Sequence, residues 1–143
     1  MKALITGASS VIGRDMAKIL GDMGYDLILV GRNRRRLEET SEAVKTPSAI
    51  YECDLSDENA CFELYQNFRS ENIDVLINNA GFGLIGEFYE SDLNTELDMI
   101  KINVSAVHIL TKLFLQDFIE RDSGYILNVS SAAAFQPGPL MAA

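Results

Sequence analysis

The chain has 143 residues, with 21 acidic against 12 basic side chains and a formal charge of -9, a length that suits one ordinary domain with its own core. That acidic balance argues against nucleic acid or an anionic membrane as partner, because both select clustered Lys and Arg. Two cysteines outside any CxxC pair, Cys53 and Cys61, and a single histidine, His108, supply too few parts for a metal site or a Ser/His/Asp triad.

The first residues carry too short an apolar run for a signal peptide, and no later stretch reads as the roughly 18 apolar residues of a membrane span. A soluble, cytoplasmic protein with reduced thiols is expected. The opening run ALIT (3–6) is too short for a helix and reads as a strand buried on both faces. It leads through TGASSVIG (6–13) into a helix predicted over 12–22, where Ile12, Met16, Ile19 and Leu20 recur at helical spacing. LILV (27–30) repeats the strand pattern, followed by GRNRRR and a charged helix over 34–44 carrying Leu37 and Val44. AIYEC (49–53) is a weaker third strand, and Ala60, Leu64 and Phe68 mark a helix over 57–69. VLIN (75–78) is the fourth strand; a long helix follows from a cap at Ser91 or Asp92 to about Arg121, and YILNVS (125–130) is the fifth strand.

Strict alternation of strand and helix predicts an α/β doubly wound parallel sheet of about five strands with helices on both faces. In the long helix, Leu110, Leu113, Phe114, Leu115, Phe118 and Ile119 cover more than one face. The second stripe needs cover, either from deep burial in a larger domain or from a subunit contact, of which a homo-oligomer through the 92–121 helix is the simplest version.

The turn after the first strand is the main candidate site. Gly7 and Gly13 bracket a run of small residues, and the following helix directs its free N–H groups and dipole back at the turn, an arrangement suited to a pyrophosphate. Val11 is the departure: a β-branched side chain stands where a glycine would let a backbone pass close and take positive φ, so crowding and weaker affinity are expected. At the end of the second strand, uncharged Gly31 and then Arg32 stand where an NAD-preferring site places an acid for the ribose 2'-hydroxyl, which favours a 2'-phosphate and hence NADP(H). Of Arg34, Arg35 and Arg36, at least two read by default as a solvated helix start.

With CDL (53–55), NNAG (78–81), KIN ending at Asn103 and ILNVSS (126–131) in this order, the chain resembles the short-chain dehydrogenase/reductase family, its compact single-domain branch. The resemblance implies that Ser9, Ser10 and Ile12 line the pyrophosphate, that Asp54 accepts the adenine amino group with Leu55 against the ring, and that Asn79, Ala80 and Gly81 face the ribose and hold the central strands. Without a ligand, NNAG would be a capped turn, and Asp54 could instead start the third helix. By the same resemblance, Ser131 orients a substrate carbonyl and Asn103 organises a water.

The family's Tyr and Lys, spaced YxxxK, are expected beyond Ala143, so the chain is read as a dinucleotide-binding domain (1–143), truncated and incomplete at the carboxyl end. On that reading it is an NADP(H)-dependent oxidoreductase for a small-molecule carbonyl/alcohol pair, inactive alone. The alternative is a non-catalytic nucleotide-binding or assembly module. Phe82, Leu84, Phe88, Phe135 and Pro137 suggest an apolar substrate mouth or ordinary loop packing.

Overall fold

The computed structural model describes residues 1–142. Five strands, β1 (Lys2–Thr6), β2 (Asp26–Gly31), β3 (Ser48–Glu52), β4 (Val75–Asn78) and β5 (Tyr125–Asn128), form one sheet in the order β3-β2-β1-β4-β5. Every pairing is parallel. The chain therefore builds outward from β1 on one side, then returns to add β4 and β5 on the other, and a crevice opens between β1 and β4 at their carboxyl ends.

Alternation along the strands explains why both faces are covered. Leu4, Ile28, Val30 and Leu76 point to one side, where α3 (Glu58–Phe68) contributes Cys61 and Leu64 and the last helix contributes Leu110, Phe114 and Phe118. Ala3, Ile5, Leu27, Leu29 and Ile77 point to the other, packing on Ala17 of α1 (Val11–Asp22) and Leu37 of α2 (Arg34–Glu42). Strands sandwiched this way need the unbroken apolar runs seen in the sequence.

Asparagine and aspartate caps set the helix starts: Asn33 accepts from the Arg36 N–H, Asp57 from that of Asn59 and Asp92 from that of Thr95. Asp57, not Asp54, thus opens α3. The predicted long helix is continuous over Leu93–Glu120 but not uniform. It runs as α4 (Leu93–Ile100), a wider π-helical stretch (Lys101–Ala106) and α5 (Val107–Glu120), and such widened turns re-aim the side chains they carry.

This helix is also long and apolar enough to cross a membrane by length and hydropathy alone, contrary to the sequence expectation. Its inner face instead packs on the sheet through Ile102, Ala106, Leu110, Phe114 and Phe118. The second stripe stays uncovered: Leu97, Ile100, Val104, Leu115 and Ile119 are exposed, as are Tyr125 and Leu127 on the edge strand β5.

Because Phe114 is 1 % exposed and its neighbour Leu115 is 41 % exposed, truncating each reads out which face packs on the sheet. Phe114→Ala should cost about 3 to 5 kcal/mol in urea unfolding and Leu115→Ala less than about 1 kcal/mol. Equal losses would contradict the packing described.

Candidate functional site

The turn between β1 and α1 is locked to the turn after β4 by polar contacts at close range. The Thr6 hydroxyl donates to the Ile77 carbonyl (3.2 Å) and accepts from the N–H groups of Asn79 and Ala80, both at 3.0 Å. In return, Asn79 Nδ2 donates to the carbonyl oxygens of Thr6 (3.0 Å) and Gly7 (3.1 Å) and lies 3.3 Å from Ser10 Oγ. Ser10 caps α1, its Oγ accepting from the Gly13 N–H at 3.0 Å. The remaining N–H groups of the first helical turn have no acceptor within the helix and face outward from its amino end.

Two glycines make this approach possible. Gly7 has φ of +65°, and a Cβ there would sit 2.8 Å from Ala80 Cα. A Cβ on Gly13 would be driven into the Gly7 carbonyl oxygen, with Asn79 Nδ2 at 2.8 Å. Val11 does not behave as its sequence position suggested. It is the first residue of α1, its φ is not positive, and its side chain is 80 % exposed, so the expected backbone strain is absent.

In front of this elbow lies a cleft of about 450 Å³, within the range of small-molecule sites. Gly7, Ser9 and Ser10 form one wall, and Asn79, Ala80 and Gly81 another. The end of β2 supplies Gly31, Arg32 and Asn33, where a Cβ on Gly31 would meet Ser9 Oγ at 3.0 Å. Leu55 and Cys53 close the floor. Three of the predicted residues stand outside the lining. Ile12 turns its side chain to solvent, Gly13 serves the packing behind the wall, and Asp54 sits at the rim.

At that rim, Asp54 Oδ1 accepts from the N–H (3.0 Å) and hydroxyl (2.9 Å) of Ser56, and Oδ2 lies 4.0 Å from Arg32 Nη1. Partial burial pushes the carboxyl up, but the two Ser56 hydrogen bonds and the guanidinium outweigh it and hold Asp54 below the usual carboxylate range. It is an anion at neutral pH. Burial, together with Cys61 and the acids around it, pushes Cys53 up to about 12, and burial and neighbouring acids push Cys61 to about 11. Both thiols therefore stay protonated at neutral pH and are poor nucleophiles.

The predicted chemical residues lie beyond the cleft. Asn103, on the π-helical stretch, clamps the backbone of Phe82, with Oδ1 accepting from its N–H (3.1 Å) and Nδ2 donating to its carbonyl (2.8 Å). Ser131 is exposed after β5, and its Oγ accepts from the Ala133 N–H at 3.2 Å. Among the described residues, no tyrosine is placed to work with them. Tyr65 is buried, donates to Asp117 Oδ1 at 2.9 Å, and is raised by burial and that hydrogen bond. Tyr51 packs edge-on against Phe68, Tyr89 is exposed, and Tyr125 begins β5 at the far end of the sheet. The suggested apolar mouth is not assembled either. Phe82 lines the cleft, Leu84 and Phe88 line a separate hollow, and Phe135 and Pro137 are exposed.

Sequence reasoning did not assign five lining residues to the nucleotide cleft: Asn33, Arg36, Cys53, Ile102 and Phe82, the last read only as part of an apolar mouth. Four follow or adjoin predicted ones and needed only the sheet order. Arg36 went with the default of a solvated helix start, although spacing sets it apart: Glu38 and Glu39 stand four residues after Arg34 and Arg35, but Thr40 four after Arg36.

A parallel sheet with a glycine-built elbow at its switch point defines a Rossmann-type α/β protein. The short chain dehydrogenase family matches residues 1–143, and the chain belongs to the short-chain dehydrogenase/reductase family. It is 31 % identical over 147 residues to the very-long-chain 3-oxoacyl-CoA reductase-B of Danio rerio, covering 97 % of this chain and 47 % of that protein. Its structure is similar to that of the bulky-bulky ketone specific alcohol dehydrogenase from Comamonas testosteroni, with a TM-score of 0.90 at 29 % identity over 99 % of this chain and 59 % of that one. A metagenomic short-chain oxidoreductase in complex with NADP gives a TM-score of 0.93 at 28 % identity, over 99 % and 66 % respectively. The chain thus spans about half to two thirds of the length of these relatives.

The elbow's packing yields a contrast between two glycines. Gly13→Ala should cost about 1 to 3 kcal/mol in thermal or urea unfolding, whereas Gly83→Ala, whose Cβ would meet nothing within 4 Å, should stay within about 0.5 kcal/mol. A neutral Gly13→Ala would show that the elbow is not close-packed.

Proposed function

We propose that these residues form the nucleotide-holding part of an NADP(H)-dependent oxidoreductase that acts on a small-molecule carbonyl/alcohol pair. The observation that carries this reading is the cleft: a glycine-built elbow at the switch point, with a cation and no acid at the end of β2. The residues present fit the group. Hydroxyls of Ser9 and Ser10 and the N–H groups at the start of α1, including that of Ile12, suit a pyrophosphate, and the close packing at Gly7 and Gly13 brings backbone rather than side chain to that wall. Arg32 suits the 2'-phosphate, Leu55 offers an apolar face to adenine, and Asp54 an acceptor for its amino group. Asn79 keeps the elbow in register while Ala80 and Gly81 face the ribose.

Bound there, the dinucleotide supplies or accepts a hydride. The chain's own part in the chemistry rests with Ser131, which would orient the carbonyl, and Asn103, whose clamp on Phe82 fixes the cleft's far wall. A proton donor near neutral pH is also required, and no Tyr among these 143 residues is followed four positions later by Lys. These residues alone should therefore bind cofactor without turning it over. The two free, buried cysteines, Cys53 and Cys61, accord with a reducing, cytoplasmic setting. The exposed stripe Leu93, Leu97, Ile100 and Val104, spaced four, three and four apart, supports a second copy of the chain as its cover.

Fluorescence titration should show NADPH binding at micromolar concentrations, and NADPH absorbance should not fall above a protein-free blank with any of a panel of ketones. Absence of binding at millimolar cofactor would instead support an assembly module. Sedimentation equilibrium should report a dimer that Val104→Glu converts to monomer; a monomeric parent chain would remove the case for the helix contact.

A further inference from the structure

The apolar mouth expected from the sequence is not assembled, but two of its residues, Leu84 and Phe88, line a hollow of about 340 Å³ that shares no residue with the cleft. One wall is the loop after β4, with Ile85 beside those two, and the other is the segment after β5, with Leu140. The Gly86 N–H donates to the Leu140 carbonyl at 2.8 Å and joins the walls. Glu87, Glu90 and Asp92 belong to the same lining, and no Lys, Arg or His does. We propose that this hollow holds the non-reacting part of the substrate, and that the carbonyl compounds it selects carry an apolar body with an ammonium group. This names the substrate class of the oxidoreductase reading and rests on it.

The hollow sits at the working end of the sheet. Both walls follow strands at their carboxyl ends, where the cleft also opens. Phe82 lines the cleft and Leu84 lines the hollow, so one short loop serves both. Asn103 fixes that loop through its two hydrogen bonds to the Phe82 backbone. The segment that carries Ser131 is the one that supplies Leu140 to the second wall.

Charge decides the class. Asp92 Oδ2 accepts from the N–H and the hydroxyl of Thr95, both at 2.9 Å, which holds its carboxyl below the usual carboxylate range and leaves it an anion at neutral pH. Among the described residues, neither Glu87 nor Glu90 has a cationic partner. The chain has no basic side chain between Arg69 and Lys101 and no charged side chain after Asp122, and Lys101 pairs with Asp98 at 3.1 Å. Neither wall therefore offers a cation to offset the carboxylates. An aromatic ring among carboxylates suits an alkylated ammonium, which both the ring and the anions attract. A carboxylate or phosphate entering the same hollow is repelled and finds no guanidinium or ammonium to receive it.

Amide chemical-shift titration of the 143-residue chain with three ketones of one shape tests this: benzylacetone bearing a para-trimethylammonium, a para-tert-butyl or a para-carboxylate group. The trimethylammonium ketone should bind about tenfold or more tighter than the carboxylate, with the uncharged tert-butyl ketone between them. Its shifts should fall on Leu84 to Thr95 and on Leu140. A chain carrying both Glu87→Gln and Glu90→Gln, two exposed positions, should melt like the parent and show the preference cut to about threefold or less. The proposal is overturned if none of the ketones binds, if the two charged ketones bind alike, if the shifts fall outside the hollow, or if the double variant keeps the full preference. NADPH binding without a preference for the ammonium ketone sinks only the substrate class. Ammonium binding with no NADPH bound at millimolar cofactor sinks the nucleotide reading, and the assignment of the hollow to a substrate falls with it.

Discussion

The contact between the Gly7 and Gly13 backbone and the Asn79-Ala80 turn organises everything that follows it in the fold. Thr6 and Asn79 exchange hydrogen bonds across the β1/β4 junction, which fixes how far apart the two strand ends can lie. No side chain fits between them, so the crevice that a switch point opens is narrowed to a cleft walled on two sides by backbone. The amino end of α1, capped by Ser10, adjoins that cleft. Replacing either glycine would separate the walls, and the site would be lost before any residue that touches a ligand was changed.

Most of the sheet was legible in the sequence because buried parallel strands leave a simple trace: short runs of Ile, Leu and Val with polar turns between them. ALIT, LILV and VLIN became β1, β2 and β4 with ends shifted by a residue or less. Helix ends were less certain, since a cap depends on a single side-chain hydrogen bond. A start of α3 at Asp54 was left open, and only the backbone path shows that Asp57 accepts the capping N–H while Asp54 folds back on Ser56.

Of the site, the motif-bearing walls were readable, and the corrections came from three-dimensional facts. Val11 occupies a glycine position in the motif, yet α1 begins there in right-handed geometry and carries the side chain out to solvent. Arg36 was taken with its charge run, although helix spacing sets the pairing: Arg34 and Arg35 find acids four residues on, whereas four residues after Arg36 stands Thr40. The π-helical stretch left no trace that spacing could detect, although it carries Asn103. The long helix was read as apolar on more than one face, and Leu97, Ile100, Val104, Leu115 and Ile119 are indeed exposed on it.

On the proposed reading, nucleotide holding and proton chemistry are separable in this chain. The first is built from β1, β2, β4 and the turns between them, all of which pack tightly. The second has only Asn103, occupied with Phe82, and Ser131, exposed on a short turn. The central claim is that a phosphorylated dinucleotide enters the cleft at the elbow. Amide chemical-shift mapping with NADPH measures this most directly. The account predicts shifts confined to Ser9 to Ile12, Gly31 to Arg36 and Asn79 to Phe82. Shifts concentrated instead in the loop around Ile85 to Thr95, or none at saturating cofactor, would contradict it.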